Sequence, residues 1–181
     1  MRFLELEIPG AYLVEPAPIA DERGQFARVW CAEEFASHGI GGAPVQANTG
    51  YNPARGTLRG LHYQAEPHPE AKLVRCTRGA VYDVLVDLRP GSPTYGRWQG
   101  AELTADNRHS LFIPPLCAHG YVTLVDHSEL WYQATAAYAQ DSARGLRYDD
   151  PALGIQWPVP IAVISERDRS WPWFETRQEG A

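Results

Sequence analysis

Apolar and polar positions alternate with a period of two along much of the chain. The run Leu73 to Leu88, LVRCTRGAVYDVLVDL, is the clearest case: Tyr82, Val84, Val86 and Leu88 fall on one face, and Asp83 and Asp87 on the other. That pattern predicts a strand. A hairpin is predicted where YVTLV (Tyr121 to Val125) is followed by the polar Asp126-His127-Ser128-Glu129 and then by LWYQATAAY, and a further short strand at Ser110 to Pro114. Helical signals are confined to Cys31 to His38 (CAEEFASH) and to the region Ile164 to Asp168, a turn or two each. The 16 glycines and 15 prolines are spread along the whole length as punctuation, without an internal repeat, a low-complexity tract or a linker. Short strands separated by frequent turns predict an all-β sandwich or barrel. A chain of 181 residues fits a single domain, 1–181, with one core.

One stretch breaks the alternation. In GTLRGLHYQ (Gly56 to Gln64), Arg59 and His62 differ in parity, so a regular strand would point them to opposite faces. Gly60 stands between them. A glycine inside a strand often marks a bulge, and one extra residue there brings both side chains into one cavity. The expected result is a barrel mouth with a polar, cationic lining.

Composition narrows the function classes. Hydrophobic content of 44% with 21% charged residues is ordinary for a soluble globular protein, and no apolar run approaches the roughly 18 residues that would span a bilayer. The start, MRFLELEIPGAYLVEP, alternates acidic and apolar residues and lacks the basic and continuous apolar regions of a signal peptide, so a cytoplasmic location and no membrane contact are expected. Cys31, Cys76 and Cys117 are odd in number and scattered, and are expected to be reduced, mostly buried thiols. A net charge of -6 argues against a nucleic-acid partner but leaves room for a small anion where a few arginines converge.

Eight blocks in order carry a family resemblance from about Phe3 to Asp168. They are DERGQF (Asp21 to Phe26), QAN (Gln46 to Asn48), GTLRGLHYQ, AKLVR (Ala71 to Arg75), VDLRPGSPTYGRW (Val86 to Trp98), IPPLCAHGY (Ile113 to Tyr121), RYDDPALGIQWP (Arg147 to Pro158) and SERD (Ser165 to Asp168). With these the chain resembles the dTDP-4-dehydrorhamnose 3,5-epimerases. The resemblance implies a cupin-type jelly-roll barrel with short peripheral helices. It also implies a homodimer in which an N-terminal strand crosses to the partner, carrying Arg23 and Phe26.

The chemistry of such a reaction can be set against the residues. Inverting a carbon beside a ketone requires a base for the α-proton, a donor for the enolate oxygen, and an acid on the other face. His62 is the candidate base, because an imidazole with an ordinary pKa of about 6.5 accepts a proton near neutral pH. Asp168 is suited to fix its tautomer and stabilise the imidazolium; the resemblance implies the same dyad. Taken alone, an isolated histidine is more often structural, but Arg59 nearby favours function. The resemblance further implies that Lys72 lies near the ketone oxygen and that Tyr132 is the proton donor. It assigns Arg23 and Arg59 to the phosphates, His119, Gln46 and Asn48 to further substrate contacts, and Tyr138 to stacking on thymine. Arg59 sits in an apolar strand context and should have an anionic partner. No cofactor is expected; the partner is a nucleotide-sugar substrate.

Several positions depart from the family pattern. Arg28 and Ala143 stand where family members commonly carry acids that contact the nucleotide, Leu116 replaces a usual glycine, Gln133 a common lysine, and Glu70 a usual glutamine. Inversion at C3, at C5 or at both stays open, as does the nucleotide. A rival reading is a metal cupin, but that pattern needs a second histidine two residues after the first, where this chain has Gln64, leaving only the distant His119. A non-catalytic sugar-nucleotide binding module is the third reading. It does not explain why His62, Lys72, Tyr132 and Asp168 are all present.

Overall fold

The computed structural model describes residues 1–175. In chain order the elements are β1 (Arg2–Glu5), β2 (Tyr12–Glu15), β3 (Ile19–Asp21), β4 (Gly24–Phe26), α1 (Ala32–Ser37), β5 (Gln46–Asn52), β6 (Thr57–Gln64), β7 (Lys72–Arg78), β8 (Ala80–Asp87), β9 (Trp98–Thr104), β10 (Ser110–Ile113), β11 (Cys117–Thr123), β12 (Ser128–Ala134), β13 (Ala143–Gly145), β14 (Val163–Ile164) and α2 (Glu166–Arg169). Two sheets face each other. The first runs β1-β2-β10-β7-β12-β5; the second runs β13-β6-β11-β8-β9, with β14 parallel beside β6; β3 and β4 form a hairpin apart from both. The interior is filled from both sides: Val74, Cys76, Leu111, Ile113 and Leu130 from the first sheet meet Val81, Leu85, Leu103 and Tyr121 from the second. This is the jelly roll that the resemblance implies.

Where the sequence pattern predicts one strand over Leu73 to Leu88, the chain makes two, in different sheets. The break is Gly79, at φ 72°, where a Cβ would lie 2.6 Å from Ser128 Oγ. The predicted hairpin across Asp126 is likewise not a hairpin. β11 pairs with β6 and β8, whereas β12 pairs with β5 and β7. In a jelly roll, segments adjacent in the chain cross between the sheets, so a local turn signal becomes a corner. The alternation of β8 does hold, with its polar face turned inward. Val81, Asp83, Leu85 and Asp87 point between the sheets, while Val84 and Val86 pack outward with Leu61, Leu146 and Leu153.

The two helices fall close to where they are expected. Phe35 anchors α1 among Val14, Ile40, Leu73 and Phe112. For α2, the Ser165 hydroxyl accepts the Asp168 N–H at 3.1 Å as an N-cap. Leu116, at the position where the family usually has glycine, adopts φ 59°, a conformation glycine enters without penalty. All three cysteines are free, Cys76 and Cys117 are buried, and burial pushes their thiols up to about 11 and about 12.

Candidate active site

The irregularity in GTLRGLHYQ is a bulge, as its parity predicts. His119 faces His62 and Tyr121 faces Arg59, so Gly60 and Leu61 together oppose Gly120 alone. Gly60 sits at φ 144°, and a Cβ on it would lie 2.5 Å from the Gly120 Cα. The two backbones can approach this closely only because both residues are glycine. As a result Arg59 and His62 line the same cavity between the sheets.

His62 meets a carboxylate from far along the chain. Its Nε2 lies 2.6 Å from Asp168 Oδ1. The Gly60 N–H donates to Oδ2 at 3.3 Å and the Trp171 indole N–H to Oδ1 at 3.4 Å. Burial alone would push the Asp168 carboxyl up, but the His62 hydrogen bond and charge, with the Gly60 amide, hold it below its ordinary value. Asp168 is 5% exposed, whereas the His62 side chain is 40% exposed toward the cavity. With Nε2 engaged by Asp168, Nδ1 is the ring nitrogen left for a ligand.

The opposite sheet supplies the other groups. Lys72 Nζ lies 3.1 Å from Glu70 Oε1 and donates to the His62 carbonyl oxygen at 3.4 Å. Tyr132, on the neighbouring β12, lines the cavity with Lys72 and His62. Its burial, helped by the Glu70 charge and opposed by Arg59, pushes the phenol up, so it stays protonated at neutral pH. An imidazole on one sheet thus shares a cavity with a phenol and an ammonium on the other.

Within the chain, among the described residues, Arg59 meets a partner that is not the anion expected from its context. Its Nε donates to Asn52 Oδ1 at 2.8 Å, and Asn52 Nδ2 donates to the Tyr121 hydroxyl at 3.1 Å. The partner is therefore neutral, and the side chain reaches out of the strand's apolar setting to an exposed position. A neutral acceptor leaves the guanidinium charge available to an anion. His119 lines the same end, with Nε2 3.0 Å from Asp83 Oδ2. Burial pushes the Asp83 carboxyl up, against the pull of His119 and Lys72. Asn52, Tyr121 and Asp83 are missed by the sequence reading. Only the polarity of Asp83 within the β8 pattern hinted at a role.

At the other end, Gln46, Gln64, Tyr138, Ala143, Arg144 and Arg167 surround the cleft. The Tyr138 N–H donates to Gln46 Oε1 at 3.1 Å, and its side chain is left in the open, the residue being 57% exposed. Gln46 Nε2 donates to Asn48 Oδ1 at 3.3 Å, while Asn48 Nδ2 is buried without a partner. Ala143 offers only a methyl where the family pattern has an acid. Arg28 is turned to Glu34 at 2.7 Å. Arg23 and Phe26 are not brought to this cavity: they sit on the β3-β4 hairpin, Arg23 paired with Asp21 and Phe26 75% exposed. Gln64 is used structurally, donating to the His68 and Ala137 carbonyls at 3.0 and 3.2 Å. Among the described residues no group of three His, Cys, Asp or Glu is placed to hold a metal ion, and no helix is long and apolar enough to cross a membrane.

The fold is that of a cupin-type jelly roll with an imidazole–carboxylate pair, a phenol and an amine set around a cavity between its two sheets. The chain belongs to the dTDP-4-dehydrorhamnose 3,5-epimerase family, whose model matches residues 5–176. It is 44% identical over 173 residues to the dTDP-4-dehydrorhamnose 3,5-epimerase of Sinorhizobium fredii, covering 95% of this chain and 89% of that one. The crystal structure of the Bacillus anthracis dTDP-4-dehydrorhamnose 3,5-epimerase with TDP and PPi bound superposes with a TM-score of 0.92 at 38% identity, over 96% of this chain and 99% of that one. A 3'-monoepimerase from Streptomyces bikiniensis, in complex with dTDP-quinovose, is similar at a TM-score of 0.85 and 34% identity, over 93% and 85% of the two chains.

Proposed function

We propose that this chain is a cofactor-free epimerase that inverts C3, C5 or both of a dTDP-4-keto-6-deoxyhexose, in deoxysugar biosynthesis. The observation that carries the reading is the His62–Asp168 pair, 2.6 Å apart, sharing one cavity with the protonated Tyr132 phenol of the opposite sheet. His62 removes the proton from the carbon beside the C4 ketone, and the C–H electron pair moves to the C4 oxygen as an enolate. Lys72 stabilises that oxygen, and Asp168 stabilises the imidazolium formed. Tyr132 then delivers its proton to the other face as the ketone re-forms, and solvent returns the phenol and the imidazole to their starting states. General-base catalysis of this kind is worth roughly 10²–10⁴-fold.

Binding is assigned to groups away from the reacting carbon. Arg59 takes the diphosphate, Tyr138 stacks on the base, and His119, Gln46 and Asn48 contact the substrate. Arg23 and Phe26 act from the partner of a homodimer that exchanges its N-terminal strand. The exposure of the β3-β4 hairpin supports that part of the reading, since Phe26 at 75% and Ile19 at 74% leave an apolar edge uncovered in the single chain. We place the protein, as one domain over 1–181, in the cytoplasm. Solvent deuterium tests the reaction: incubation with dTDP-4-keto-6-deoxyglucose in D2O should label C3, C5 or both. Absence of label with every nucleotide 4-ketosugar offered would sink the proposal.

A further inference from the structure

Glu70 is a carboxylate inside the cavity that the reaction as written does not use. It stands two residues before Lys72, just ahead of β7, and the two side chains line the same part of the cavity. Their contact is 3.1 Å, and both are almost enclosed, at 11% and 10% side-chain exposure. An ammonium buried this far needs a counter-charge to offset the loss of its hydration. The second contact of Lys72 Nζ, 3.4 Å from the His62 carbonyl oxygen, pins it to the strand of the base. An ammonium has three N–H donors. Glu70 and the His62 carbonyl engage two, leaving one for the substrate.

We propose that Glu70 is a positioning residue for the reaction: its carboxylate holds the Lys72 ammonium between base and acid and places a negative charge in the part of the cavity that Tyr132 shares with Arg144 and Arg167. The proposal deepens the epimerase reading and rests on it for its kinetic consequences. The residues lining that half of the cavity include His62, Lys72, Arg144 and Arg167, and Glu70 is the only carboxylate among them. From the other half, Arg59 pulls the phenol toward ionisation, whereas Glu70 opposes it. In that other half, which His62, Lys72 and Tyr132 also line, Asp168 already faces His62, and the buried Asp83 behind it faces His119. The glutamine usual in the family would still accept from Lys72 but would bring no charge. Glu70 therefore ties two functions together in this chain, the placement of Lys72 and the retention of the Tyr132 proton at alkaline pH.

Two readouts test this, one of which needs no turnover. In carbon-13 tyrosine NMR, the Tyr132 resonance is identified as the one missing from Tyr132→Phe and is followed against pH in the native protein, Glu70→Gln and Glu70→Ala. Both variants should titrate at lower pH than the native protein, because removing a nearby negative charge makes the phenolate easier to form. Kinetically, Glu70→Ala should lose on the order of 10–10²-fold in kcat, the scale of a misplaced catalytic group, with dTDP affinity unchanged. Glu70→Gln should recover part of that loss while its alkaline limb stays shifted to lower pH. An unmoved Tyr132 titration in both variants, or a native kcat in Glu70→Ala, overturns the proposal. A shifted titration in a protein that turns over no nucleotide 4-ketosugar would leave the Glu70–Tyr132 coupling standing and remove the epimerase reading instead.

Discussion

Replacing Asp168 by Asn keeps the shape of the dyad and removes its charge. The carboxylate and the imidazolium formed during proton abstraction have charge centres about 4 Å apart, for which an effective dielectric of about 20 gives roughly 4 kcal/mol. His62 is 40% exposed, and solvent screening reduces this to about 2 kcal/mol, which is more than tenfold in rate. A second effect adds to it. The amide can donate to Nε2, which moves the imidazole proton to Nδ1, the nitrogen that must accept. Together these place the expected loss of kcat at about 10²–10⁴-fold, read as deuterium incorporation from D2O, with dTDP affinity unchanged. Stability gives an independent check, because a hydrogen bond to a charged group contributes about 1.5–3 kcal/mol. The Asp168 carboxyl is held below its ordinary value of 3.8, so its contribution is present above that pH and is lost as pH falls through the depressed value. The stability gap between native and Asp168→Asn should therefore be full at neutral pH and close in acid. Exchange within about threefold of native would refute the role of Asp168 in orienting the base, on a scale where general-base catalysis is worth roughly 10²–10⁴-fold.

The two-faced mechanism makes separable demands on base and acid. His62→Ala should abolish both exchange and turnover, while Tyr132→Phe should lose net inversion but keep C–H exchange on the histidine face; full epimerisation by Tyr132→Phe would remove Tyr132 from its role. Gly60→Ala forces a Cβ to within 2.5 Å of the Gly120 Cα at φ 144°, where only backbone movement gives relief. It should cost about 2–4 kcal/mol and weaken dTDP binding by separating Arg59 from His62, and a native melting temperature with native affinity would show that the bulge is not required.

Much of this protein is legible in the chain itself, for local reasons. Period-two alternation marks the strand segments, Phe35 marks α1, and the parity of Arg59 and His62 across Gly60 announces the bulge, because each depends on neighbours in sequence. Alternation cannot say which face turns inward. In β8 the apolar face went outward beneath Leu61, Leu146 and Leu153, and Asp83 and Asp87 went between the sheets. Both faces are buried, so each aspartate needed a partner from elsewhere: His119 for one, and Arg89, Ser92 and Thr94 for the other. Pairing was equally invisible, since turn residues at Gly79 and Asp126 look the same whether the chain folds back on its own sheet or crosses to the other. The His62–Asp168 bond spans 106 residues, and the neutral Asn52 that holds Arg59 comes from a strand of the opposite sheet. Block resemblance could nominate His62, Lys72, Tyr132 and Asp168 one by one. Only closing two sheets over a common interior set them around one cavity, because burial, which acts on the whole chain at once, decides which polar groups meet.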